Sequence, residues 1–153
     1  MTGRLPLSLK RKVYNSCILP VLSYGAETWR LRKRVKLKLR TTKQAMQRKM
    51  VGVFLRDKKR ADWIRGQRGV KDIIVEIKKR KRTWAGHVER RQDNRWSLRV
   101  TNWIPREGKR VRGRQKVRWA DEIKKFAGIN WQQQAQDRVN WRNMGEAFVL
   151  QWT

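Results

Sequence analysis

Between Lys81 and Ile123 the chain sets Trp84, Trp96, Trp103 and Trp119 among arginines and lysines, in the order KRTWAGHVERRQDNRWSLRVTNWIPREGKRVRGRQKVRWADEI. Large indoles favour burial, whereas the bases between them require water or a counter-charge. A chain with this pattern must hide its rings on one side of each element and carry its charge on the other. The stretch reads as a surface for polyanions built on buried indoles.

The same balance holds throughout. Lysine and arginine total 41 against 12 acids, a formal net charge of +29 in 153 residues. A compact body so charged repels itself and attracts polyanions. Nucleic acid is the first partner to expect, because bases that neutralise phosphates release counterions. An anionic membrane is the weaker alternative. Nine tryptophans and 39% hydrophobic residues argue against a disordered basic tail. With 35% of residues charged, the core is expected to be thin, and parts of the chain to order only on nucleic acid.

Cys17, the one cysteine, excludes an internal disulfide or a CxxC pair and reads as a buried thiol in the apolar run YNSCILPVL. A reducing intracellular location, nuclear or cytoplasmic, is expected. The first residues, MTGRLPLSLKRK, hold no apolar signal segment. The uncharged run that starts at Val13 and ends before Glu27 is too short and too polar to span a bilayer.

Apolar spacing predicts helices throughout and no strand. Ser8 is a candidate N-cap, followed by Leu9, Val13, Cys17 and Val21, with Pro20 expected to kink or end that helix near Leu19. Residues 30–40, RLRKRVKLKLR, carry Leu31, Val35 and Leu39 on one face and no acid, so the bases are expected to track phosphates. A separate helix follows, capped at Thr41 or Thr42, with Met46, Met50 and Val53 as its stripe. A short helical piece near Ala61 to Arg65 is expected to bury Trp63 and Ile64. Asp72 is predicted to cap DIIVEIKKRKRTWAGHV, whose apolar side Lys81 interrupts and which Gly86 weakens near its end. Trp96, Val100 and Trp103 fall at i, i+4 and i+7, ended by Pro105. Residues 106–116 form a glycine-spaced basic loop. Val117 to Ala127 is helical and closed by Gly128, and one last helix runs from about Trp131 to Leu150. Trp96, Trp119 and Trp141 are expected in the core. The fold class is all-α, a small irregular helical bundle with a basic loop.

Catalytic readings find little support. One His and one Cys far apart make no structural zinc site, and no GxxxxGK[ST] loop is present. His87 lacks a partner for general-base work and is expected to pack against Trp84 or donate to backbone or phosphate. Asp121 and Glu122 could belong to a Mg²⁺ nuclease, but in the early turns of a helix they are more simply structural. No cofactor, metal or small-molecule substrate is expected. The expected nucleic-acid contacts are Lys33, Arg34, Lys78, Lys79, Arg80, Lys81, Arg82, His87, Arg90, Lys109, Arg110, Arg112, Arg114, Lys116 and Arg118.

Several segments also carry a resemblance. YNSCILPVLSYGAETW, RTWAGHVERRQDNRW, WIPREGKRVRGRQKVRWADEI and WQQQAQDRVNWRNMGEAFVLQW resemble, in order, the end of the thumb and the C-terminal region of RTE-like non-LTR retrotransposon endonuclease-reverse transcriptases. The resemblance implies residues 1–55 as partial thumb helices, 56–71 as a linker and 72–153 as a basic Trp-rich helical region. It implies Tyr24, Gly25, Glu27 and Trp29 as thumb residues, and Trp84, Gly86, His87, Arg90, Arg112, Gly113, Arg114 and Trp119 as the C-terminal motif. Such a region would contact template-primer duplex or element RNA during target-primed reverse transcription. The family's paired palm aspartates and its endonuclease are absent, so by this comparison the chain neither polymerises nor cuts. A preceding thumb helix is also absent, which leaves the first helix to dimerise or stay loose. Gln115 stands where the family has proline, and Glu122 where it has a second aspartate. The alternatives are a Mg²⁺-dependent nuclease and a ribosome-associated basic protein.

Overall fold

The computed structural model describes residues 5–60, 63–64, 70–91, 93, 95–102 and 118–150, with residues 146–150 described by backbone alone. Among them every regular element is helical, in agreement with the apolar spacing. The order is α1 (Leu7–Val13), a π-helical turn (Tyr14–Ile18), α2 (Leu19–Leu22), a 3-10 turn (Ala26–Thr28), α3 (Lys33–Val51), a second 3-10 turn (Leu55–Asp57), α4 (Ile73–Glu89), α5 (Trp96–Asn102), α6 (Asp121–Ala127), α7 (Trp131–Gln136) and α8 (Arg138–Leu150). Two compact units result: Met1–Ala26 with Leu31–Ile77, and Glu27–Arg30 with Lys78–Thr153. Helix α4 gives its first turn to unit 1 and the remainder to unit 2. No helix among the described residues is long and apolar enough to cross a membrane.

Unit 1 has an aliphatic core of Leu19, Ala26, Leu31, Ile73, Ile74 and Ile77 around Tyr14, with Met46 and Met50 packed against it. Pro20 does not end the first helix at Leu19. The proline ring would meet the carbonyl of Ser16 in a regular helix. The path widens there into the π turn, in which the Leu19 N–H donates to Tyr14 O, and helix resumes to Leu22. Five-residue spacing puts Tyr14 and Leu19 on the buried side. The expected stripe of Leu9, Val13, Cys17 and Val21 assumed an unbroken helical period, and all four residues are exposed. The helix starts at Leu7 with Pro6 as its cap, so Ser8 lies inside it.

The two helices expected in 30–40 and 41–55 are one, α3. Thr41 does not cap a second helix, because its hydroxyl donates back to Leu37 O and Lys38 O at 3.1 and 2.9 Å. Gly52 ends α3 with φ +77°, a left-handed geometry suited to glycine. Ile64 is buried as expected, but Trp63 is exposed with the Lys59 ammonium 5.9 Å from its ring centroid. Asp72 caps α4 as predicted: its Oδ1 accepts from the N–H of Ile74 and Val75 at 2.8 and 3.2 Å. Its Oδ2 meets Lys43 Nζ at 2.6 Å. Burial pushes this carboxyl up, but the Lys43 hydrogen bond and charge, with the two N–H groups, outweigh that and hold it below its ordinary value.

Unit 2 is built differently. Its core is Ala85, Ala120, Ile123, Ala127, Trp131, Ala135 and Trp141, with Trp119 and Met144 packed against it. Small residues let the large rings approach closely. Gly86 lies in an unbroken part of α4, because a side chain there would collide with Trp141. A Cβ would stand 2.5 Å from the indole Nε1. The single last helix predicted from Trp131 to Leu150 is interrupted at Asp137, whose extended backbone ends α7. Its Oδ1 then accepts from the N–H of Val139 and Asn140 at 2.9 and 3.0 Å, capping α8. Gly128 ends α6 at φ +78°, with its N–H donating to Lys124 O at 3.0 Å.

Candidate nucleic-acid interface

Each unit presents bases to solvent from one long helix. In unit 1 the helix is α3. Its apolar side, with Leu39, Met46 and Met50, turns toward the core, which forces Lys33, Arg34, Lys38, Arg40 and Lys49 outward. No acid occurs between Glu27 and Asp57. The exposed arc is therefore a run of like charge along a helix of 19 residues. Lys33 and Arg34 stand on it as expected.

In unit 2 the helix is α4. Ala85 and Val88 are buried on one side, and Lys79, Thr83 and His87 are exposed on the other at intervals of four. Arg91, just past the helix end, extends that stripe. Arg91 was not anticipated, although the four-residue spacing from Lys79 would have pointed to it. His87 faces solvent instead of packing against Trp84, because Trp84 turns toward Trp119. Those two rings meet edge to face, with centroids 5.2 Å apart. Lys78 is half-buried, its ammonium 5.1 Å from the Phe126 centroid, and Arg80 is half-buried too.

Three of the expected contacts, Lys81, Arg82 and Arg90, have partners inside unit 2. Lys81 is 2% exposed. Its ammonium lies 3.1 Å from Glu122 Oε2, donates to Trp29 O at 3.3 Å and sits 4.8 Å from the Trp119 ring centroid. A buried ammonium needs such a set of acceptors, and these leave it no path to a phosphate. Arg82 donates from Nη2 to Trp141 O at 2.9 Å, while the Trp141 indole donates to Arg82 O at 3.1 Å. The guanidinium lies over the same indole at 4.6 Å, and burial pulls its pKa down without neutralising it. Arg90 donates from Nη1 to Ala135 O at 2.7 Å. Lys81 and Arg82 belong to the five-base run Lys78–Arg82, which wraps the helix and must send some members inward.

The remaining expected contacts divide simply. Arg118 is exposed, and its backbone N–H donates to Asp121 Oδ2. Lys109, Arg110, Arg112, Arg114 and Lys116 lie outside the described residues, as does Trp103. Asp121 and Glu122 both have structural partners, the Arg118 N–H and Lys81. No group of three or more His, Cys, Asp or Glu able to hold a metal ion occurs among the described residues.

The indoles divide in the same way. Trp131 and Trp141 are buried, and Trp119 is half-buried with its N–H donating to Glu27 O at 2.8 Å. Trp96 is the correction: it is 76% exposed on α5, not in the core. Its i, i+4 partner Val100 is exposed beside it, so the regular spacing marks a solvent-facing stripe. Leu98, half-buried on the other side, anchors the short helix.

The chain is similar to a transposon-derived protein of Caenorhabditis elegans, with 36% identity over 147 residues that cover 87% of this chain and 52% of that protein. The chain thus spans about half the length of the curated relative it matches. No family profile matches the chain, and no solved structure does. Fold and similarity together describe an all-helical, strongly basic chain related to a protein of transposable-element origin.

Proposed function

We propose that this chain is a non-catalytic nucleic-acid-binding region of a retrotransposon reverse transcriptase, the end of its thumb and the basic segment beyond. In that role it contacts template-primer duplex or element RNA during target-primed reverse transcription. The observation that carries the proposal is the acid-free solvent arc of α3, Lys33, Arg34, Lys38, Arg40 and Lys49. Aligned cations without intervening acids repel one another unless a polyanion neutralises them. Lys79 and Arg91, exposed at the two ends of the second stripe, and the similarity to a transposon-derived protein support the same reading. So do the segments that resemble reverse-transcriptase thumb and C-terminal motifs. Binding, not cleavage, is proposed because Asp121 accepts from the Arg118 N–H and Glu122 pairs with Lys81.

The test is a salt-titrated competition among hairpin RNA, single-stranded DNA and RNA–DNA hybrid. With ~6 phosphates engaged, affinity falls by about 10³ between 50 and 200 mM salt. A salt slope near zero, or Mg²⁺-dependent cleavage abolished by Asp121→Asn, would overturn the proposal.

A further inference from the structure

We infer that Trp96 is a stacking platform for an unpaired nucleobase, a use of the surface distinct from phosphate tracking along α3 and α4. The inference rests on the nucleic-acid reading above and adds the strand form that unit 2 takes. Trp96 and Val100 occupy one exposed arc of α5, and Arg95 and Arg99, also four apart, flank it. Arg95 additionally pairs with Asp93. An indole exposed to 76% leaves a broad flat π-face to solvent. Guanidinium groups beside such a face can hold the phosphates on either side of a stacked base.

The platform is held in place from behind. Leu98 and Thr101 are half-buried, and Thr101 Oγ1 donates to Leu98 O at 2.9 Å. Asn102 bridges α5 to α7 by accepting from Gln132 Nε2 at 2.9 Å, and its own amide donates to Glu89 Oε1 on α4 at 3.4 Å. A ring displayed from a helix fixed at its far end loses little freedom on binding. Bases in an intact duplex are stacked on their neighbours and offer no face to such a ring. The ligand is therefore a single strand, or an unpaired loop or end, with little base preference because every base has a π-face. A nucleic acid supplies both a flat apolar ring for the indole and anions for the exposed, basic edge formed by Arg95 and Arg99.

The full chain is titrated with a fluorescent oligo(dT) strand and, separately, with a fluorescent blunt-ended duplex that has no loop. Trp96→Ala weakens oligo(dT) binding by roughly 5- to 100-fold, the range expected from losing one stacked base. Affinity for the blunt-ended duplex is unchanged, and Trp96→Phe retains most of the oligo(dT) affinity. The ratio of wild type to Trp96→Ala stays constant as salt rises, because stacking releases no counterions. Circular dichroism confirms that the variants keep their helix content. Equal loss on both ligands, no loss on either, or a change in oligomeric state with Trp96→Ala overturns the inference. Wild-type binding to the blunt-ended duplex without binding to oligo(dT) overturns it while leaving the proposed function standing. Binding to neither removes both.

Discussion

The two units meet a shortage of apolar residues in opposite ways. Unit 1 gathers Leu19, Leu31, Ile73, Ile74 and Ile77 into an aliphatic core and leaves most bases of α3 outside. Its Lys43 pairs with Asp72 at the margin of the core. Unit 2 has alanines and indoles, and it draws cations inward. Lys81, Arg82 and Arg90 end on Glu122 and on the carbonyls of Trp29, Trp141 and Ala135. An ion taken from water costs several kcal/mol. No single partner offsets that, whereas a carboxylate, backbone acceptors and an aromatic face together can. The indoles of unit 2 thus serve as both packing volume and acceptor surface.

Four sets of substitutions test this contrast. Lys81→Met removes the buried ammonium that pairs with Glu122 and is expected to cost about 3–5 kcal/mol in urea unfolding. Adding Glu122→Leu should recover most of that loss, since a matched apolar pair is often neutral. If Lys81→Met costs no more than Lys43→Met, the two units do not differ as described. Next in size, Gly86→Ala drives a methyl group into the Trp141 ring and should cost about 1–3 kcal/mol. In a Trp141→Phe background the same change should be milder, a coupling that a double-mutant cycle would measure.

Smaller again is Asp72→Ala in unit 1, at about 1 kcal/mol from the lost helix cap. Its pH dependence has a definite sign. The folded-state carboxyl is held below its ordinary value, so its contribution is complete above that value and is lost as pH falls through the lower folded one. The stability gap between wild type and Asp72→Ala should close in acid; a gap that widened there would contradict the Lys43 pairing. The smallest stability effect belongs to Lys33→Ala with Arg34→Ala, within about 0.5 kcal/mol because both side chains are exposed. The same pair should weaken hairpin binding and reduce its salt slope by about 2. Loss of stability without loss of binding would mean that the α3 arc has a structural task instead.

Local signals in the sequence carried much of this fold. The Asp72 cap, the closing Gly128 with its positive φ and the helical periods each depend on residues a turn apart, and each is present. What stayed hidden depends on distance or on a departure from the regular period. Lys81 was visible as a break in an apolar side, but its reason is Glu122, 41 positions later. Gly86 read as a weak point because Trp141 could not be placed against it. The π turn before Pro20 breaks the regular period that would have put Cys17 and Val21 on one face with Leu9 and Val13. Trp96 and Val100 show that spacing identifies a face without saying which way it points. The candidate site was accordingly legible as a class of surface, and only in part as a set of residues.

Gly86 and Trp141 also make the route of sequence change directional. While the indole stands at position 141, every side chain at position 86 meets it. A lineage that first shortened residue 141 would open space and could then accept alanine or serine at 86. The reverse order passes through an intermediate with two groups in one place. Restoring the indole after position 86 has filled would meet the same obstacle from the other side. Substitutions at these two sites are thus expected to accumulate in one order, and an early change at one would close a path at the other.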